Sequence, residues 1–260
     1  MTHTLDRRRF TAAALLALAG SVQAVTRTDD GAMIDFDALY IPPLFLTGAA
    51  AKSPEGPARA QAALARLQGQ WPALRGRLEA VWPRDTVWLR TVGAVQGQLA
   101  DAARHAGRGA WPESHEALEQ VRMALWRARE ARGMDYVLDR FVAFHEPMER
   151  LADAAVKWTP STLGPRQRAE LEKHFVEARA RWRAVEALPI DAAALRLTPV
   201  REAQLRKAMT DESAALQALS EVLRGADAAA LLKTAAATKP PFVRAYTAFG
   251  LAEGDALPQR

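Results

Sequence analysis

The hydrophobic positions of this chain repeat with the period of an α-helix almost everywhere after residue 57. In the first such segment, apolar side chains recur at spacings of three and four residues: Leu64, Leu67, Trp71, Leu74 and Leu78. This spacing places them on one face of a helix. No segment alternates apolar and polar residues convincingly with the period of a strand. The pattern therefore predicts an all-α fold.

Glycine and proline residues divide the helical part into about six main helices. The first begins near Ala58, and the others are predicted near residues 84–105, 111–132, 135–157, 166–188 and 199–223, with short helices near 226–234 and 242–249. Short connections favour an antiparallel helical bundle. A loose similarity between residues 113–118 and 212–216 suggests, as an alternative organisation, two duplicated αα units.

Residues 25–57 are predicted to form an extended N-terminal segment that precedes a helical domain over residues 58–260. Its apolar part, from Leu39 to Thr47, contains the adjacent prolines Pro42 and Pro43. Proline lacks the backbone N–H that an α-helix requires and clashes with the preceding turn. We therefore expect these residues to lie on the bundle as an extended strap.

The first 24 residues have the organisation of a removable export signal. Arg7-Arg8-Arg9-Phe10 precedes a short apolar run, and the small residue Ala24 follows. A charged region, an apolar region and a small-residue cleavage site define signal peptides. The arginine pair resembles a bacterial twin-arginine (Tat) signal. The resemblance implies a periplasmic protein, with an ordinary secretory signal as the alternative.

Composition limits the chemistry and the partners that this chain can have. It contains no cysteine, which excludes disulfides, thiolate metal sites and covalently attached c-type haem. Its pI is about 9.9, but acidic and basic residues alternate along the mature part. Interspersed charge indicates a solvated helical surface and argues against nucleic acid. The apolar run of the signal is too short for a membrane span, so we expect no stable membrane insertion after its removal.

One motif, H-E-x-x-E, occurs twice in the chain. His115 and Glu119 form the first pair, and His145 and Glu149 form the second. Residues four apart share a helix face. Both the pair 115/149 and the pair 119/145 are centred on residue 132, beside Gly133. If the chain reverses there, the two motifs lie at the same height on neighbouring helices.

Two imidazoles and two carboxylates between facing helices could hold a transition-metal ion. Fe, Cu, Zn and Mn all accept such ligands, so His115, Glu119, His145 and Glu149 are the candidate metal ligands. Non-covalent haem b is a second cofactor hypothesis, with His115, His145 and Met148 as candidate ligands. The competing interpretation is structural, because His–Glu pairs at this spacing are common surface ion pairs and His145 and Met148 lie on an apolar stripe.

The sequence favours a function in binding over one in catalysis and leaves open, as a third hypothesis, an enzyme with a carboxylate or metal-assisted hydrolytic site. It contains no nucleophile elbow, phosphate-binding loop or dinucleotide fingerprint. The first hypothesis is a periplasmic bundle that binds a metal or haem for metal handling or redox support. The alternative is a non-enzymatic accessory scaffold that works with another exported protein.

Overall fold

The computed structural model of the protein describes residues 30–225 and 227–251 and contains no strand within these ranges. The helices are α1 (Asp30–Ala49), α2 (Gly56–Val81), α3 (Thr86–Ala106), α4 (Trp111–Glu130), α5 (Val137–Lys157), α6 (Pro165–Glu186), α7 (Pro199–Leu223), α8 (Ala228–Ala236) and α9 (Lys239–Thr247). The predicted all-α helical bundle is confirmed. The export signal at residues 1–24 lies outside the described residues.

The predicted helices and turns of the bundle agree closely with the structure. The boundaries of α3, α5, α6 and α7 fall within a few residues of those expected from glycine and proline. Asp85 and Asp227 begin α3 and α8 by accepting backbone N–H groups of the first turn. Gly133 adopts a φ of +62° between α4 and α5, a conformation that glycine adopts without strain. The chain therefore turns where the motif spacing requires it.

The expected extended strap is wrong over its described part, because Leu39 to Thr47 belong to helix α1. Pro42 has no N–H for the carbonyl of Ala38, and the N–H of Leu251 donates to that oxygen instead at 2.7 Å. The hydroxyl of Thr47 donates to the carbonyl of Pro43 at 2.8 Å. A distant segment thus satisfies a backbone group that the proline leaves free, and the helix continues through both prolines.

Helix α1 lies at the centre of the bundle. Its residues from Ala32 to Ile41 are all buried, and it packs against α2, α4 and α9. A helix that is apolar on nearly all sides must be covered on nearly all sides. The remaining contacts form two sets: α3 packs against both α2 and α4, and helices α5 to α9 pack against one another.

Helices α4 and α5 lie further apart than α3 and α4 do, and the long side chains of Arg122 and Arg129 cross the gap.

Of the helices described, none combines the length and the apolarity that crossing a bilayer requires.

Candidate functional site

The structure brings the four predicted metal ligands into one line of contacts across α4 and α5. His115 Nε2 lies 3.6 Å from Glu119 Oε1, and His145 Nε2 lies 3.7 Å from Glu149 Oε2. Between the two pairs lies Arg122, whose Nη2 contacts both Glu119 Oε2 and His145 Nδ1. These five residues are called the Arg122 chain below.

Arg122 occupies the position between the two motifs where a shared metal ion was expected. Its side chain is 5% exposed, and its Nη2 lies 2.9 Å from His145 Nδ1. A guanidinium carries a permanent positive charge and offers only donors. It therefore neutralises Glu119 and binds His145 in the way that a bound cation would. The sequence contained no sign of this role, because arginine is frequent throughout these helices.

The hydrogen bonds fix the proton on each imidazole. His115 Nδ1 lies 2.8 Å from the carbonyl oxygen of Leu44, which can only accept, so Nδ1 carries a proton. His145 Nδ1 faces a guanidinium that can only donate, so Nδ1 accepts and Nε2 carries the proton. The only ring lone pair of a neutral His145 is therefore used by Arg122.

Burial and the positive charge of Arg122 together shift the pKa values of His145 and Glu119. Burial lowers the pKa of His145 to about 2, and the charges of Arg122 and Lys239 act in the same direction. Burial raises the pKa of Glu119, while the guanidinium of Arg122 opposes that rise. Lys239 reaches across from α9 and pairs with Glu149. Charged groups of both signs thus surround the neutral imidazole of His145.

This arrangement does not form a ready metal site. Over residues 30–225 and 227–251, the structure has no group of three or more His, Cys, Asp or Glu side chains placed to hold a metal ion. Binding at the four predicted ligands would require Arg122 to leave His145 and Glu119. Only then would His145 present a lone pair to a metal.

The candidate haem ligands are not brought to one open pocket. Met148 is fully buried in the hydrophobic core, and His145 packs against the ring of Phe242 at a centroid distance of 5.3 Å. A cavity of about 250 Å³ adjoins His145, and Met148 is not among the described residues that line it. The lining is mixed in polarity: Arg122, Met123, Trp126, Val142, His145, Glu146, Glu149, Arg150 and Asp153.

A second buried polar cluster connects α1, α4 and α5. Arg129 forms a two-pronged ion pair with Asp139, with Nη2 to Oδ1 at 2.5 Å and Nε to Oδ2 at 3.0 Å. The hydroxyl of Tyr136 donates to Asp37 Oδ2 at 2.7 Å. Burial raises the pKa of Asp37 to about 6 against the opposing charge of Arg129. These contacts link the central helix to the two helices that carry the motifs.

A larger cavity lies between α1 and α2, on a different side of α1 from the Leu44 contact with His115. It has a volume of about 520 Å³ and is called the α1–α2 groove below. The described residues that line it are Ala38, Leu39, Ile41, Pro42, Phe45, Leu46, Arg59, Ala62, Ala63, Arg66, Thr247 and Leu251. Sequence reasoning missed this groove because it treated the α1 residues as an extended strap.

No protein-family model, curated protein or solved structure matches this chain.

Proposed function

We propose that the protein is an exported, non-enzymatic accessory protein of the periplasm that binds a small, largely apolar ligand in the α1–α2 groove. The observation that carries this proposal is the groove itself. Its volume of about 520 Å³ lies in the range of small-molecule sites, and its walls are mostly apolar. The signal-like segment ending at Ala24 supports export.

The contacts of the Arg122 chain support a structural role for its acid and base groups. Arg122 holds Glu119 and His145, the carbonyl of Leu44 holds His115, and Lys239 holds Glu149. A general base needs a group that can take up a proton near neutral pH. The pKa of His145, lowered to about 2, does not suit it for that task.

Groove binding can be tested with a neutral fluorescent probe such as N-phenylnaphthylamine, whose emission rises in apolar surroundings. The wild-type protein should enhance the emission, and Ala62→Trp, which fills the groove, should abolish the enhancement. Ala65→Trp is the matched control, since Ala65 is exposed on the same helix and does not line the groove. Equal enhancement by both variants would contradict the proposal.

Export can be tested separately by fractionating cells that express the full chain. The proposal expects a shortened protein in the periplasm. Substitution of Arg7 and Arg8 by lysine should block export if the twin-arginine route is used, because that receptor reads the arginine pair. Continued export of this variant would indicate an ordinary secretory signal, and retention of the wild type in the cytoplasm would overturn periplasmic function.

A transition-metal site at His115, Glu119, His145 and Glu149 is the second candidate. It is favoured by the contacts that bring both His–Glu pairs into the Arg122 chain. Titration with Zn²⁺, Cu²⁺ or Mn²⁺ by calorimetry tests it, with His115→Ala and His145→Ala as ligand variants. Because Arg122 uses the lone pair of His145, Arg122→Met should tighten any such binding. Absence of stoichiometric binding in both wild type and Arg122→Met would exclude this site.

A further inference from the structure

The cavity of about 250 Å³ beside His145 lies in the gap between α4 and α5 that Arg122 crosses. Both helices contribute to its described lining, with apolar as well as charged side chains. One water occupies about 30 Å³ of the liquid, so the cavity has room for about eight atoms of that size. Pockets for drug-sized ligands begin at about 300 Å³. A ligand of this cavity is therefore a small molecule.

Arg122, which lines this cavity, has donors that no described residue satisfies. Its contacts with Glu119 and His145 both use Nη2. Its Nε and Nη1 atoms are shielded from solvent and have no hydrogen-bond acceptor among the described residues. A guanidinium offers five N–H donors, and a buried charged donor without an acceptor is costly. The cavity therefore favours a ligand that brings an acceptor, and a carboxylate is a strong one.

Glu149, on the α5 wall of the cavity, has the converse deficiency. Its Oε1 pairs with Lys239, whereas its Oε2 is shielded from solvent and accepts no hydrogen bond from a described residue. His145 Nε2 lies 3.7 Å from this oxygen, which is longer than a hydrogen bond. Asp153, about one turn further along α5, adds a second carboxylate to the same wall. This wall therefore favours a ligand that brings a positively charged donor.

The two walls together select the charge of the ligand. A simple anion would meet the carboxylates of Glu149 and Asp153, and a simple cation would leave Arg122 without an acceptor. A zwitterion supplies both groups and brings no net charge into the cavity. The lining also contains three apolar side chains that can cover an aliphatic group: Met123, Trp126 and Val142.

We infer that the cavity between α4 and α5 binds a free α-amino acid with a small aliphatic side chain, such as valine. Its carboxylate accepts from Arg122, its ammonium donates to Glu149 Oε2, and its side chain contacts Val142. The contacts of Arg122 Nη2 and of Glu149 Oε1 stay in place, because the ligand uses the other polar atoms of these two side chains. This cavity shares no described lining residue with the α1–α2 groove, so the two sites are independent.

The test is calorimetric titration of the purified full-length protein with L-valine at about pH 7, where the amino acid is a zwitterion. Three relatives of valine are titrated in parallel. Isovalerate lacks the ammonium, isobutylamine lacks the carboxylate, and glycine betaine has the atomic composition of valine and both charges but no N–H donor. We expect one-to-one binding of valine and binding at least about tenfold weaker for the other three, because each leaves one wall without its partner.

Two substitutions assign the charged groups of the ligand to the two walls. Glu149→Gln keeps the volume of the side chain and should weaken valine binding by about tenfold or more, while isovalerate binding stays unchanged because isovalerate has no ammonium. Arg122→Met should weaken valine binding in the same way and leave isobutylamine binding unchanged. Glu130→Gln is the matched charge control, since Glu130 is exposed on α4 and does not line the cavity.

Filling the cavity gives an independent readout. Met123→Trp should abolish valine binding, whereas Gln120→Trp, at an exposed position of α4 outside the lining, should preserve it. Ala62→Trp, which fills the α1–α2 groove, should also preserve it, so that the two binding sites are tested separately. Thermal melts confirm that each variant is folded at the titration temperature. If Arg122→Met does not fold, Glu149→Gln and Met123→Trp decide the question.

The inference is overturned if the folded wild-type protein shows no saturable binding of valine. A folded Glu149→Gln variant that binds valine as tightly as the wild type does would overturn it too. Equal losses of valine and isovalerate binding in this variant would show that Glu149 does not meet the ammonium, and would likewise reject the assignment.

Discussion

Arg122 Nη2 donates to His145 Nδ1 across 2.9 Å and so couples helix α4 to helix α5 through a charged donor and a neutral imidazole. This bond assigns the proton of His145 to Nε2 and removes the ring lone pair that a metal would need. Burial and the nearby positive charge both disfavour a second proton. The pair therefore leaves His145 without a ring lone pair that could bind a metal or take up a proton.

His145 should remain neutral throughout the physiological pH range. In ¹H–¹⁵N spectra of the imidazoles, its Nδ1 should show no titration between about pH 5 and pH 8. Arg122→Met should raise the pKa of His145, since it removes one of the positive charges that lower it. Arg127→Met, an exposed position on the same helix, should leave the His145 signals unchanged. Titration of His145 near neutral pH in the wild type would refute the assignment.

Breaking the buried ion pair of Arg129 with Asp139 should strongly destabilise the protein. Asp139→Asn removes the carboxylate that is paired directly with a buried guanidinium, and such changes typically cost about 3–5 kcal/mol. Asp135→Asn provides the control, because the Arg140–Asp135 pair is largely exposed and should change the unfolding free energy by less than about 1 kcal/mol. Urea denaturation measures both. Similar losses for the two variants would contradict the assigned importance of burial.

Most of the bundle could be predicted because its helices are separated by strong local signals. Gly133 lies in the turn between α4 and α5. A proline lies in the first turn of α6 and of α7, where its missing N–H has no cost. Helix α1 could not be predicted by the same rules. Pro42 argues locally against a helix, and the donor that compensates for it, the N–H of Leu251, lies at the other end of the described chain.

The candidate site was predictable in its position but not in its chemistry. The spacing of His115, Glu119, His145 and Glu149 about Gly133 brought the four residues to one region, as expected from helix geometry. Periodicity cannot distinguish Arg122, which is buried between them, from the many solvated arginines of these helices. The α1–α2 groove could not be foreseen either, because it exists only once α1 is recognised as a helix.

Glu212 should make the protein less stable as the pH rises. Its side chain is fully buried on α7, and burial raises its pKa to about 9, opposed in part by the backbone N–H of Phe242. The unfolded chain releases this proton near pH 4.3, so between about pH 4.3 and pH 9 the folded state binds more protons than the unfolded state. The contribution of Glu212 to stability therefore falls with pH, by at most about 1.4 kcal/mol per pH unit.

Glu212→Gln should remove this dependence, because a neutral amide does not titrate. The free energy of unfolding of the variant relative to the wild type should rise from about pH 4.3 and level off above about pH 9. Glu221→Gln, at an exposed position of the same helix, should show a flat difference over that range. A flat difference for Glu212→Gln as well would show that Glu212 is ionised in the folded protein.

The contact of residues 250 and 251 with α1 around Pro42 should be sensitive to a single methyl group. A Cβ atom at Gly250 would lie 3.0 Å from Ile41 Cγ2 and 3.1 Å from Pro42 Cδ. Gly250→Ala would therefore push this segment away from α1 and strain the bond from the N–H of Leu251 to the carbonyl of Ala38, at a cost of about 1–3 kcal/mol. Thermal and urea unfolding measure this loss.

Gly93→Ala is the matched substitution for Gly250→Ala and should have the opposite sign. Gly93 lies within α3, and a Cβ there would meet nothing within 4 Å. Alanine reduces the backbone entropy of the unfolded chain and favours the helix, so this variant should gain about 0.5–1 kcal/mol. If Gly250→Ala gained stability as Gly93→Ala does, the segment around Leu251 would not be held against Pro42, and the Ala38 carbonyl would accept its hydrogen bond from another donor.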